Sequence, residues 1–216
     1  MYVGRIVSIA MAKDGRLCGA YRVSSRSFPN RTAVLREHAV SIVPKPGHEA
    51  DVHKNPYIAY NCVRVVCGGD VAVVTNGSHT DPIAEKIMAG MNPRDALLLS
   101  LMTLDYEKDD YDTPRIAGVA DKRNGGAGYL GIVRKDGVHV SRVPLEAGMF
   151  YYVATYEECR ISETQSGVFP AENAEEACRF MLGGGVFAER TNPVTAVAAM
   201  ATQTGFELTT MDVPHP

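Results

Sequence analysis

Short β-rich runs separated by turn residues fill the first third of the chain. The runs cover residues 3–10, 17–23, 38–43, 58–66 and 71–75. Turn residues such as Asp14-Gly15 and Gly68-Gly69-Asp70 lie between them. β-branched residues in runs of this length, bounded by Gly, Asp and Pro, are typical of strands joined by tight turns. We therefore expect an antiparallel sheet at this end of the chain.

Two helices are predicted next. Asp81-Pro82 opens a helical stretch to about residue 90, and Asn92-Pro93 opens a second one to about residue 104. Asparagine is a favoured N-cap, and proline suits the first turn because no N–H donor is needed there. The second stretch is apolar nearly all round, which predicts a buried helix lying on a sheet.

The β pattern then returns and is again followed by helical signals. Strands are predicted at residues 115–120, 129–134, 138–143, 149–156 and 206–211. Lys135-Asp136-Gly137 reads as a tight hairpin turn. Asn173 and Glu176 form a capping box for a helix over 174–182, and Asn192-Pro193 predicts an alanine-rich helix to about residue 202.

The order of strands, helix pair, strands, helix pair differs from the alternation of a doubly wound parallel sheet. It favours an α+β fold, a four-layer αββα sandwich of two mostly antiparallel sheets. A chain of 216 residues fits a single domain, which we expect to span 1–216.

Charge and composition exclude several classes of protein. A net charge of −3 provides no general field for nucleic acid, and no apolar run is long enough to cross a membrane. The first residues lack the pattern of a secretion signal, so we expect a cytoplasmic protein. Five cysteines without a CxxC pair fit neither a disulfide framework nor a cysteine-rich zinc site, and we expect reduced, mostly buried thiols.

Arginines and hydroxyl residues crowd around one aromatic ring in the segment 21–32. The residues that could act there are Arg22, Arg26, Ser27, Phe28, Asn30 and Arg31. Arginine forks bind phosphate oxygens, hydroxyl groups complete the shell, and a ring can cover a base. The segment is either a phosphate site or a solvated surface loop.

Two further polar segments lie at strand ends. Tyr60, in Asn55-Pro56-Tyr57-Ile58-Ala59-Tyr60-Asn61, offers a phenol that could donate a proton or hold an oxyanion, or could simply pack. Asn76, Ser78 and His79 lie in a glycine-containing loop that enters a helix. Such a loop can receive an anion or a carbonyl oxygen, or serve as an ordinary N-cap.

An acidic cluster follows the apolar helix at residues 105–112. It could chelate Mg²⁺, supply a base, or form a solvated face. Asp105 and Glu107 stand closest to the helix and are the candidates for inward-facing side chains. The sequence has no Walker, GxSxG or HExxH motif, and no GxGxxG motif directly after a strand. The residues by themselves therefore predict only a small ligand that carries a phosphate.

Five segments together resemble the archaeal-type IMP cyclohydrolase family. They are YRVSSRSFPNR at 21–31, NPYIAYN at 55–61, VTNGSHTDPIA at 74–84, LDYEKD at 104–109 and TPRIA at 113–117. The resemblance covers nearly the whole chain. It implies ring closure of 5-formamidoimidazole-4-carboxamide ribonucleotide to IMP with loss of water, and an N-terminal-nucleophile-hydrolase-like αββα sandwich. Because Tyr2 follows Met1, we expect the fold to act without that class's covalent nucleophile.

Residue chemistry combined with the matched motifs gives each candidate a role. Arg22, Tyr60, Asp105 and Glu107 are the predicted catalytic residues. Arg26, Ser27, Asn30 and Arg31 are expected to hold the phosphate or ribose, Phe28 to cover the base, and Asn76, Ser78 and His79 to contact its polar edge.

Ring closure needs an acid, a base and correct placement, so we expect no cofactor and no metal. The expected partner is a small nucleotide substrate, with no nucleic acid or membrane, and the chain is expected to form a homo-oligomer. Two alternatives stay open: another amidohydrolase acting on a purine-like nucleotide, and a non-catalytic nucleotide-binding module.

Overall fold

Two antiparallel β-sheets lie face to face in the computed structural model, which describes residues 1–214. Sheet A has six strands, in the spatial order β11 (Ser166–Val168), β10 (Met149–Ala154), β1 (Ile6–Met11), β2 (Leu17–Ser24), β12 (Pro193–Ala201) and β13 (Phe206–Asp212). Sheet B has seven strands that follow one another along the chain: β3 (Arg31–Leu35), β4 (Ala39–Pro44), β5 (Tyr60–Val66), β6 (Val71–Thr75), β7 (Arg115–Asp121), β8 (Ala127–Arg134) and β9 (Gly137–Val143).

Helices cover the outer face of each sheet. A short helix α1 (Asp51–Lys54) lies in the connection from β4 to β5. Helices α2 (Thr80–Met88) and α3 (Pro93–Leu104) pack on sheet B, and α4 (Ala174–Gly183) packs on sheet A. The order of layers is therefore helix, sheet, sheet, helices, which confirms the predicted αββα sandwich. None of the helices within residues 1–214 is long and apolar enough to span a membrane.

The largest core cluster lies between the two sheets. Val7 and Ile9 of β1 meet Val74 of β6 and Ile116 of β7 there, all fully buried. Burying one such side chain stabilises the fold by about 1.5–3 kcal/mol. Gly118 allows the sheets to approach closely, because a Cβ at this position would lie 2.9 Å from Val7 Cγ1.

The helix caps and the hairpin predicted from the sequence are present in the structure. Asn92 Oδ1 accepts a hydrogen bond from the Arg94 N–H at 2.9 Å and caps α3. Asn173 Oδ1 accepts from the Glu176 N–H at 2.9 Å, and the Glu176 carboxylate accepts from the Asn173 side-chain amide at 3.0 Å and from the Glu172 N–H at 2.8 Å, which is a variant of the predicted capping box. Arg134 pairs with residue 137 across β8 and β9, so the predicted hairpin is confirmed.

The prediction of an alanine-rich helix after Asn192 was wrong. The segment is strand β12, a central strand of sheet A between β2 and β13. Its side chains are buried on both faces: Ala196 and Ala198 face α4, whereas Val197 and Ala199 face the other sheet. Alanine favours a helix in isolation, but here small side chains let two layers pack against one strand.

Two other elements differ from the predictions. Helix α3 is buried on one face only, because Leu99 is 43% and Met102 is 58% exposed. Strand β3 begins at Arg31, inside the segment interpreted as a polar loop.

All five cysteines are free, and Cys18, Cys62 and Cys178 are buried, as expected for core thiols.

Candidate active site

A cavity of about 690 Å³ opens at one end of the sandwich. Its walls come from separate parts of the chain: residues 1–2, 5, 25–28, 54–55, 109–111 and 156–157. The predicted Arg26, Ser27 and Phe28 are among them. Loops from both sheets and the segment before β1 therefore meet at one concave surface.

One wall of this cavity is basic and rich in hydroxyl groups. The loop after β2 is folded by a hydrogen bond from the Phe28 N–H to Ser25 Oγ at 3.0 Å. Arg26 lies 4.1 Å above the Tyr2 ring, and Tyr2 stacks on Tyr156 with ring centroids 5.9 Å apart. The guanidinium and the exposed Ser27 are thus available to an anion at the cavity wall.

A buried ion pair lies behind the cavity. Arg5 lines the cavity and donates from Nη2 to Glu107 Oε2 at 2.9 Å, and the Glu107 side chain is only 1% exposed. Arg115 Nη1 lies 3.7 Å from the other carboxylate oxygen. Glu107 is therefore held between two guanidinium groups in a nearly dry environment.

Burial and neighbouring charges act in opposite directions on the pKa values of this pair. It raises the pKa of Glu107 above the ordinary value of a glutamate, although the charges of Arg5 and Arg115 act in the opposite direction. Burial alone would lower the pKa of Arg5, but Glu107 and neighbouring tyrosine hydroxyls outweigh it, so the pKa of Arg5 is raised. Arg5 stays charged, and Glu107 is easier to protonate than an ordinary glutamate.

The loop after α3 folds back on itself and fixes Glu107. The Glu107 N–H donates to the Thr113 carbonyl at 2.8 Å. Asp109 accepts from both the N–H and the hydroxyl of Thr113, and the Thr113 hydroxyl lies 2.8 Å from that of Tyr156. The acidic cluster is thus a closed loop that turns one carboxylate inward. No three His, Cys, Asp or Glu side chains within residues 1–214 form a group that could hold a metal ion.

Tyr60 is buried between the sheets, where its hydroxyl oxygen lies 2.6 Å from that of Tyr21. Burial raises the pKa of Tyr60, with the charges of Arg31 and Arg5 opposing the rise. Arg31 is itself buried, and its Nε donates to the Phe28 carbonyl at 3.0 Å. The predicted Tyr60 and Arg31 therefore lie together, behind the loop that carries Phe28.

The loop 75–82 is fastened to β7. Asn76 Nδ2 donates to the Pro114 carbonyl at 3.0 Å, and its Oδ1 accepts from the Ile116 N–H at 2.7 Å. His79 Nε2 lies 2.9 Å from the Ile116 carbonyl oxygen, and burial together with the charge of Arg115 lowers the pKa of His79 to about 3. Asn76 and a neutral His79 thus connect two strands, and Ser78 remains exposed.

Of the twelve predicted residues, three line the cavity and nine do not, and three of those nine are held by contacts elsewhere. Arg22 points to the opposite face of sheet A, where its guanidinium donates to carbonyl groups of Met181, Phe187 and Arg190 and is fully buried. Asp105 is exposed to solvent and pairs with Lys108. Asn30 contacts His48. Since the carbonyl groups already bind Arg22, the structure gives it an anchoring position at the end of α4.

Sequence reasoning missed Arg5, Arg115 and Tyr156. Arg5 is a single charge within an otherwise apolar run, and Arg115 begins a strand whose residues are all buried. A lone charged residue in such a run must find a partner when it is buried, and this signal could have identified both arginines. Tyr156 ends a predicted strand and carries no comparable local signal.

Comparisons with known proteins identify the family of this chain. A family described as "IMP cyclohydrolase-like protein" matches residues 2–205. The chain is 52% identical to the IMP cyclohydrolase of Methanosphaera stadtmanae, over 92% of this chain and 94% of that protein. It is 48% identical to the IMP cyclohydrolase of Methanocella arvoryzae, over 100% of both chains. It is 42% identical to that of Methanocaldococcus jannaschii, over 97% of this chain and 98% of that protein. The chain therefore belongs to the IMP cyclohydrolase family.

Proposed function

We propose that this chain is an IMP cyclohydrolase that closes 5-formamidoimidazole-4-carboxamide ribonucleotide to IMP, with loss of water, in purine biosynthesis. The observation that carries the proposal is the buried Arg5–Glu107 pair at the cavity of about 690 Å³. A carboxylate with a raised pKa beside a fixed positive charge suits a reaction that moves a proton and develops an oxyanion.

The phosphate end of the substrate is assigned to the basic wall. Arg26 supplies a guanidinium fork, and Ser25 and Ser27 lie beside it on the same wall. Phe28 follows directly and offers a ring for the base. This assignment leaves Arg31 as a buried support of the loop through its bond to the Phe28 carbonyl.

Ring closure joins the carboxamide nitrogen to the formyl carbon. The nitrogen loses a proton, and the formyl oxygen becomes an oxyanion and then a hydroxyl group. After a second protonation this group leaves as water, while the formamido nitrogen loses its proton and forms a double bond to the same carbon. We assign proton removal to Glu107, oxyanion stabilisation to Arg5 and proton donation to Tyr60. Both reacting groups lie on adjacent ring atoms, so holding the formyl group in the reactive rotamer supplies much of the rate enhancement.

We also infer the domain span, the location and the oligomeric state of the protein. Residues 1–216 are taken as a single domain, of which residues 215–216 lie outside the described part of the chain. The proposed enzyme is cytoplasmic, and it is proposed to work as a homo-oligomer. The N-terminal-nucleophile-hydrolase likeness stays a prediction from the resemblance.

Incubation of the purified protein with the formylated nucleotide tests the function. The ultraviolet spectrum should change to that of IMP. Release of formate with recovery of the aminoimidazole nucleotide would favour another amidohydrolase, and tight binding without turnover would favour a nucleotide-binding module. Glu107→Gln should abolish ring closure, whereas the control Glu175→Gln, on the outer helix α4, should not.

A further inference from the structure

Three buried polar atoms converge on one side of Gly77. A Cβ at this position would lie 2.8 Å from Arg115 Nη1, 3.2 Å from His79 Nδ1 and 3.4 Å from Glu107 Oε1. All three atoms are buried and make no hydrogen bond with the described residues. Burying a polar atom without a hydrogen-bond partner is unfavourable, and most buried polar atoms in proteins have such a partner. Their convergence therefore points to a small polar molecule beside the glycine.

The hydrogen-bonding roles of the three atoms follow from their other contacts. His79 Nε2 faces the Ile116 carbonyl oxygen, which can only accept, so Nε2 carries the proton. The imidazole is neutral, since its pKa is lowered to about 3, and Nδ1 therefore presents a lone pair. Arg115 Nη1 can only donate, and an ionised Glu107 Oε1 can only accept.

We propose that Gly77, His79, Glu107 and Arg115 bind one buried water molecule that orients the Glu107 carboxylate. The water oxygen accepts from Arg115 Nη1, and its two hydrogens point to His79 Nδ1 and Glu107 Oε1. This pattern matches one donor and two acceptors, which is the pairing that buried waters commonly make. An anion would meet two acceptors, and a cation would meet the charges of Arg115 and Arg5.

The water gives Arg115 a function as a positioning residue. At 3.7 Å, Arg115 Nη1 and Glu107 Oε1 are too far apart for a direct hydrogen bond, and the water bridges them. Arg115 Nε is held by the Asp105 carbonyl at 2.8 Å, so the bridge starts from a fixed point. The role in turnover rests on the proposed function, in which Glu107 is the base, but the water site itself does not.

The first test is a high-resolution crystal structure of the unaltered protein. We expect an electron-density peak within about 2.6–3.2 Å of Arg115 Nη1, His79 Nδ1 and Glu107 Oε1. A direct bond between Arg115 and Glu107, with no peak beside Gly77, would overturn the water site. This result does not depend on which reaction the protein catalyses.

The second test fills the space with a methyl group. Gly77→Ala is compared with Gly131→Ala, whose new Cβ would lie 2.8 Å from Leu101 Cδ1 in an apolar part of the structure. The two changes impose a similar steric strain, but only the first displaces the water. Carbon-13 NMR follows the titration of the Glu107 carboxyl group in each free protein.

The groups that face Glu107 are Arg5 from the segment before β1, Arg115 from β7, His79 at the start of α2 and Asp109 from its own loop. Losing one hydrogen bond to the ionised carboxylate should raise the pKa of Glu107 by about one pH unit in Gly77→Ala. Gly131→Ala should leave it unchanged. An unshifted Glu107 in Gly77→Ala would contradict the orienting role. If Gly77→Ala does not fold, the crystal structure of the unaltered protein decides the proposal.

Discussion

The hydroxyl oxygens of Tyr21 and Tyr60 lie 2.6 Å apart, and the two rings belong to different sheets. Only one of the two hydroxyl groups can donate to the other, so the second has its proton free for another acceptor. Burial raises the pKa of both groups, which keeps them protonated at neutral pH. The pair therefore keeps one hydroxyl proton that is not shared between the two rings, at the interface between the sheets and near the charge of Arg5.

Replacing Tyr60 with phenylalanine keeps the ring and removes only this hydroxyl group. If Tyr60 donates to the developing oxyanion, kcat should fall about 10²-fold to 10³-fold, while the Kd for IMP and the Tm change little. Tyr21→Phe is the matched control, since it removes the neighbouring hydroxyl and should cost less in kcat. A kcat for Tyr60→Phe close to that of the unaltered protein would remove Tyr60 from the mechanism.

Arg22→Met should destabilise the protein without a direct effect on the chemistry. The change keeps much of the apolar stem but leaves buried carbonyl groups at the end of α4 without their donor, at a cost of about 3 kcal/mol. Urea unfolding measures this loss, and kcat is recorded well below the lowered Tm. A large fall in kcat with unchanged stability would return Arg22 to the catalytic residues.

Arg26→Ala tests the phosphate assignment. The Kd for IMP should rise about tenfold, which corresponds to about 1.4 kcal/mol, whereas the Kd for inosine should stay the same because inosine has no phosphate. Isothermal titration with both ligands provides the comparison. Arg179→Ala, on the exposed side of α4, serves as the control and should affect neither Kd. Equal losses for IMP and inosine would place Arg26 elsewhere in the complex.

The buried His79 should make stability depend on pH. Its pKa is lowered from 6.5 to about 3 in the folded state, where Arg115 and Glu107 face it, so the unfolded chain binds a proton first as the pH falls. The stabilisation is complete above the unfolded pKa and decreases on acidification, by about 2 kcal/mol between pH 7 and pH 5. His79→Gln should reduce this slope, whatever its effect at pH 7. Equal slopes for the two proteins would show that His79 titrates normally.

The sequence was sufficient for the layers of the fold and insufficient for one central strand. The spacing of apolar residues and the turn residues predicted most strands, and the N-caps Asn92 and Asn173 were predicted as well. These features depend on neighbouring residues alone. The segment after Asn192 failed because alanines that favour a helix locally are required in β12 for packing on both faces. This packing requirement comes from distant parts of the chain, so it cannot be inferred from the residues of the segment itself.

The candidate site divides in the same way. The chemistry of the motifs predicted Arg26, Ser27 and Phe28, which line the cavity, and Glu107 in the acidic loop. Both faces of β2 are buried, so alternation along the strand could not reveal which face meets the other sheet; Arg22 was predicted beside the substrate and lies instead under α4. Arg5 and Arg115 meet Glu107 only through tertiary contacts between distant segments.

Tyr21 and Arg22 are consecutive on β2 but belong to opposite layers. Tyr21 meets Tyr60 between the sheets, and Arg22 holds the carbonyl groups at the end of α4. Neighbouring residues of one strand therefore contact the interior tyrosine pair and the end of the outer helix. A spectroscopic label at the exposed position 179 of α4 would show whether a ligand bound in the interior also shifts the outer helix.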